Sequence, residues 1–146
     1  MVQYKNIINT YYMNSKKQII YIFGNPLLEY DNTPLKLQTA LSNTFSDIDF
    51  IEIDPNENLH PTNGKLTIID TIADIDDVII IDNMDDIDSI ERNPNYSLHD
   101  LDLGFTLKLL KKIGSLKEIL IFGVPQNIKK QDALKQLINL IQNANL

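Results

Sequence analysis

Three segments of the chain place a metal-capable side chain beside an apolar run or at an element's start. Asp31 closes Gly24-Asn25-Pro26-Leu27-Leu28-Glu29-Tyr30-Asp31, Asp82 closes Val78-Ile79-Ile80-Ile81-Asp82, and His99 lies in Ser97-Leu98-His99-Asp100. Two carboxylates and a neutral imidazole form an N/O donor set, which suits Ni, Zn, Co or Mn better than a soft ion such as Cu(I). Three protein ligands leave coordination positions open for water or for a ligand brought by a substrate. Each residue also has a plainer role. Asp31 can serve as a loop or capping residue, Asp82 can start a turn through its side chain, and His99 can be a surface residue of a helix's first turn. Their joint placement at the mouths of successive elements singles them out. At a helix N-terminus the macrodipole disfavours a charged imidazole and keeps His99 able to donate a lone pair. Asp100 acts in the opposite sense, and the sequence leaves that balance open. His60, beside Pro61 in an Asn-rich stretch, reads as a plain loop residue.

Other chemistries find less support. No Gly-x-Ser-x-Gly elbow is present for a Ser-His-Asp triad. Gly24-Asn25-Pro26 lacks the glycine spacing of a dinucleotide fingerprint, and neither a P-loop nor a His-Glu-x-x-His helix occurs. With no Cys there is no disulfide framework, thiolate metal site or Cys nucleophile.

The elements that must position these groups alternate in type. Gln18-Ile19-Ile20-Tyr21-Ile22-Phe23 is a nearly continuous apolar run, as in a strand covered on both faces, and Lys17 to Gly24 is read as the first strand. Thr33-Pro34 opens a helix to about Asn43, with Thr33 as N-cap and Pro34 at the first helical position. Asp49 to Asp54 alternates as a second strand, and Pro55 to Asn58 is a loop. A helix is expected from about Gly64 to Ile72, a third strand over Asp77 to Asp82, and a short edge strand over Ile87 to Arg92. Ser97, with Asp100 three residues on, resembles a capping box and starts a helix that Gly114 ends. Leu116 to Val124 is a fourth buried strand, and an amphipathic helix follows from about Lys130 to Asn143. The pattern predicts an α/β fold, a three-layer α/β/α sandwich whose mainly parallel, twisted sheet carries helices on both faces. In such a sheet the carboxyl ends of the strands form the binding edge. Asp31, Asp82 and His99 are expected to meet there.

The 146 residues are read as a single domain: an N-terminal extension, 1–16, and an α/β core, 17–146. Tyr4, Ile7, Ile8, Tyr11 and Tyr12 fall at helical spacing in the extension. The net charge is −7, with Asp crowded in the middle of the chain and no basic stripe to follow a phosphate backbone, so nucleic acid is excluded as a partner. The acidic middle reads chiefly as solvated loops and element ends, and it would also attract cations or a basic partner segment. Met1 to Lys17 lacks the apolar core of a signal peptide and no run is long enough to cross a membrane. The expectation is therefore a cytoplasmic protein without a membrane partner.

From about Gln18 to Ile141 the chain resembles the hydrogenase maturation endopeptidases. These remove a C-terminal peptide from the large-subunit precursor of nickel-iron hydrogenases. The resemblance rests on Gly24-Asn25-x-Leu27-x-x-x-Asp31 after the first strand, the hydrophobic strand ending in Asp82, and Ser97-x-His99-x-Leu101-x-Leu103 opening a helix. Glu118-Ile119-Leu120-Ile121-Phe122-Gly123-Val124-Pro125 is similar to the family's strand with a Gly- and Pro-containing end. The resemblance implies a protease of α/β/α fold whose catalytic and metal-contacting positions fall on Asp31, Asp82 and His99. It also implies that the metal is nickel carried by the precursor, with another divalent ion such as zinc as a stand-in for the isolated protein. A non-catalytic, metal-sensing or binding relative is the alternative. The sequence departs from the family at Tyr30-Asp31-Asn32-Thr33-Pro34, which keeps one acid of an acidic pair and loses the following Gly. It departs again at Asp54-Pro55-Asn56-Glu57-Asn58, which replaces a Gly- and Thr-bearing loop.

Overall fold

A computed structural model describes residues 17–24, 32–53, 57, 59–87 and 98–146. Its elements in chain order are strand β1 (Gln18–Ile22), helix α1 (Thr33–Thr44), strands β2 (Ile48–Glu52), β3 (Lys65–Ile72) and β4 (Ile79–Ile81), helix α2 (Leu98–Lys112), strand β5 (Glu118–Pro125) and helix α3 (Lys130–Asn143). The strands form one sheet in the order β2-β1-β3-β5-β4. All neighbours pair in parallel except β4, which runs antiparallel to β5 at the edge.

The helices cover both faces, as the alternation predicts. On one face Leu37 and Leu41 of α1 and Ala133, Leu137 and Ile141 of α3 pack on Ile20, Ile22, Ile69 and Phe122. On the other, Leu103 and Leu107 of α2 pack on Phe23, Ile68, Ile119 and Ile121. Successive residues of β1, β3 and β5 supply opposite faces, which is why apolar residues dominate their sequences. Among the described residues no helix is long and apolar enough to cross a membrane.

The helix expected over Gly64–Ile72 is instead β3, at the centre of the sheet. Thr67, Ile68, Ile69, Thr71 and Ile72 are all β-branched. Their stiff χ1 angles fit a pleated surface and crowd a helix. Burial of both faces hides the alternation that would otherwise mark a strand. The expected strand Asp77–Asp82 shrinks to the three residues of β4 and lies at the edge, where Ile79 and Ile80 stay exposed. Ile87 does not open a strand; it is buried on the α2 face, and a single 3₁₀ turn, Met84–Asp86, precedes it. Residues 88–92 of that expected strand, the loop from Pro55 to Asn58 apart from Glu57, and the N-terminal extension lie outside the described residues.

At the start of α1 the cap falls on Asn32, one residue before the expected Thr33, with Pro34 in the first turn. The end of α2 is as expected: Gly114 takes φ +79°, and Ser115 N–H donates to Leu110 O while Gly114 N–H donates to Lys111 O. That pair is a Schellman motif, which needs a left-handed residue that Gly adopts without strain. It turns the chain sharply, so β5 begins beneath the C-terminus of α2.

Candidate active site

Strand order decides where a ligand can enter. From β1 the chain passes through α1 on one face to β2. From β3 it goes to β4 at the far edge and then, through α2 on the other face, to β5, both on the opposite side of β3 from β1. The reversal puts the topological switch point between β1 and β3, and open α/β sheets usually hold their ligand at the carboxyl ends of the strands flanking such a point.

The acidic residue that β3 carries near its carboxyl end, beside this switch point, is Asp70. It pairs in register with Gly123 of β5 and sits one residue beyond Ile69, whose carbonyl accepts from Phe23 N–H at 2.9 Å. Its neighbours along the strand, Ile68 and Ile72, share its face, the one that α2 covers. Asp70 is 3% exposed, and its Oδ1 accepts from Thr71 N–H at 2.8 Å. A carboxylate so buried persists where hydrogen bonds or charges compensate it, and Asp70 stands near the carboxyl end of the central strand. Sequence reasoning missed it because the surrounding run was read as a helix. The usable signal was Leu66-Thr67-Ile68-Ile69-Asp70, an apolar, β-branched run closed by an acid.

The glycine opposite Asp70 is part of the same construction. A Cβ on Gly123 would lie 2.3 Å from Cδ1 of Ile72 and 3.1 Å from Cγ1 of Ile79. The absent side chain lets Ile72 of β3 and Ile79 of β4 close in over β5 at the register level of Asp70. Two further buried polar atoms lie near the carboxyl ends of β1 and β3: Asn32 Oδ1, at the cap of α1, and Thr71 Oγ1 have no hydrogen-bond partner among the described residues. Unsatisfied groups are uncommon in a packed interior, and each calls for an explanation.

The three sequence candidates fare differently. Asp31 lies in the segment between β1 and α1, outside the described residues. His99 is in the first turn of α2, one turn before Leu103. Because α2 ends at the amino edge of β5, the helix runs back over the sheet toward the carboxyl edge. From Lys112 to His99 it rises roughly 20 Å, and from Glu118 to Gly123, the level of Asp70, β5 rises roughly 17 Å. The backbone at His99 and Asp70 therefore stands at similar height over the α2 face.

Asp82 is elsewhere. It follows Ile81, which pairs with Ile121, so β4 leads it away from the carboxyl ends of the parallel strands. It is exposed, and Ile81 already belongs to the α2 face, so the strand alternation turns the next position to the other face. By register it stands two strands and three residues from Asp70, roughly 14 Å. The expectation that all strand ends meet at one edge presumed a parallel strand here. Among the described residues no three His, Asp or Glu side chains gather as a metal site.

No protein-family model matches the chain, and no curated protein matches it by sequence. Solved structures do match. The hydrogenase maturating endopeptidase HybD from E. coli superposes with a TM-score of 0.60 at 17% identity, over 86% of this chain and 92% of that one. A NiFe hydrogenase maturation protease HybD from Thermococcus kodakarensis gives 0.60 at 16% identity, over 86% and 97%. An endopeptidase from E. coli gives 0.61 at 15%, over 88% and 94%. Across nearly the whole length of these proteins, the chain has the fold of the hydrogenase maturation endopeptidases.

Proposed function

We propose that this protein is an endopeptidase that removes the C-terminal peptide of a nickel-iron hydrogenase large-subunit precursor. The observation that carries the reading is the buried carboxylate of Asp70 near the carboxyl end of β3, beside the β1–β3 switch point, in a chain whose fold matches maturation proteases over most of its length. In this reading Asp70 supplies the central carboxylate, Asp31 a second from the loop after β1, and His99 an imidazole from the start of α2. Asp82 is the competing candidate for the central carboxylate, and the opposed direction of β4 favours Asp70 over it. Two carboxylates and an imidazole suit nickel. The ion belongs to the substrate: it arrives in the precursor, and it would polarise the scissile carbonyl or a water. The protein's own groups complete its shell and hold the bond to be cut. The buried setting of Asp70 fixes that carboxylate before the substrate arrives, so little reorganisation is left for the bound state.

The experiment is incubation with nickel-loaded precursor and with metal-free precursor, followed by mass analysis. Processing is expected only with nickel, yielding a shortened chain and a released peptide. Asp70→Asn, Asp31→Asn and His99→Gln should each abolish it while the circular dichroism spectrum stays unchanged. Tight binding of the nickel-loaded precursor without cleavage would make the protein a non-catalytic relative.

A further inference from the structure

Among the described residues the sheet has two edge strands, β2 and β4, and β4 is the wholly apolar one. Among the described residues no strand lies beyond β4, so half of its backbone N–H and C=O groups face away from β5. Ile79 and Ile80, adjacent and therefore on opposite faces, are 37% and 39% exposed. An open edge of apolar residues is a template for another strand, and proteins usually blunt such edges with Lys, Pro or a covering segment. Here β4 itself contains only Ile.

What flanks it has one sign. No Lys, Arg or His occurs between Lys65 and Arg92. Asp76 and Asp77 precede β4, Asp82 and Asp85 follow it, and all four are exposed. Asp77 accepts from Gln136 Nε2, and Lys111 approaches Asp85 at 4.0 Å while donating to Met84 O. Asp76 and Asp82 make no hydrogen bond or ion pair with a described residue. The edge is also held in place: Val78 N–H donates to Gln136 Oε1 at 2.7 Å, tying the start of β4 to α3. A pinned, extended backbone loses little entropy when a further strand pairs with it.

We propose that β4 is a docking edge for an extended, basic segment of a partner protein, which joins the sheet as a further strand beside Ile79–Ile81 and sets its Lys or Arg side chains against the flanking aspartates. Strand addition of this kind draws affinity from backbone hydrogen bonds and selectivity from the side chains beside them. The start of β4 lies level with Asp70, since Ile79 and Asp70 both pair with Gly123. A segment leaving the edge at that end passes the carboxyl side of the sheet roughly 14 Å from Asp70. If the endopeptidase reading holds, the precursor supplies that segment, and docking would position its tail. The binding itself does not depend on that reading.

The test uses the full chain and a fluorescein-labelled synthetic peptide of alternating Val and Thr with paired Lys at each end. Anisotropy should show saturable binding that weakens with salt. Hydrogen exchange should show new protection at the amides of Ile79–Ile81. N-methylation of alternate peptide amides, which keeps charge and side chains but removes donors, should weaken binding about tenfold or more. Asp76→Asn and Asp85→Asn should each weaken it about threefold, with an unchanged melting temperature as the folding control. Equal binding of the N-methylated peptide, protection confined to another part of the sheet, or no binding would overturn the proposal. So would a concentration-dependent dimer that protects β4 without peptide, because the edge would then belong to a second copy of the chain. Failure to cleave a precursor would overturn the protease reading alone.

Discussion

Replacing Gly123 by Ala probes the packing that surrounds Asp70. The new Cβ would stand 2.3 Å from Ile72 Cδ1, 3.0 Å from Ile72 Cγ1 and 3.1 Å from Ile79 Cγ1. Carbon atoms rest about 3.5–4.0 Å apart, so the first contact overlaps by more than 1 Å. Ile72 is 4% exposed and has no solvent to swing into. Overpacking of this kind costs about 1–3 kcal/mol. Ala recovers about 0.4–1 kcal/mol through a less flexible unfolded chain, which leaves a net loss of about 1–2 kcal/mol. For a chain of this length that lowers the melting temperature by about 2–8 °C. Ile72→Val removes the overlapping Cδ1 and by itself costs about 0.5–1.5 kcal/mol. In Gly123→Ala/Ile72→Val the two changes should therefore compensate, with a favourable coupling of about 1 kcal/mol. Urea unfolding of the four proteins measures it. Additivity within about 0.5 kcal/mol, or a neutral Gly123→Ala, would refute the packing argument and with it the β3–β5 register that places Asp70.

Asp70→Asn and Asp82→Asn, compared in the precursor assay, separate the two carboxylates: the first should stop processing and the second leave it near wild type, and the reverse outcome would return the site to the β4 exit. Leu107→Ala, at a fully buried position between α2 and the sheet, should cost about 2–5 kcal/mol in urea unfolding. Gln136→Ala removes the acceptor for Val78 N–H and should lose about 1–2 kcal/mol, with faster hydrogen exchange at Val78 and Ile79. Gly114→Ala meets no atom within 4 Å, so its cost of about 1 kcal/mol comes from the left-handed backbone alone and should appear as fraying of the end of α2.

Local signals were enough for the elements with strong punctuation. Gly114, the heptad-like leucines before it and the apolar run after it gave α2 and β5, and the spacing of Ala133, Leu137 and Ile141 gave α3. Where punctuation was weak the reading failed. Around Asp70 both faces are buried, and no period of two survives to distinguish β3 from a helix. Conversely, the most apolar stretch, Val78-Ile79-Ile80-Ile81, reads as the centre of a sheet, yet it forms the edge.

The sequence by itself determined the fold class, because alternating apolar periods and their capping residues are properties of neighbours along the chain. It also showed an acid closing an apolar strand at Asp82, whereas Asp70, inside a run read as a helix, went unseen. Only the tertiary structure decided which of the two lies toward the carboxyl ends of the parallel strands. Strand direction depends on hydrogen bonding to β5, a partner nearly forty residues away from β4, and an isolated run of isoleucines carries no mark of whether it lies parallel or antiparallel to its neighbour.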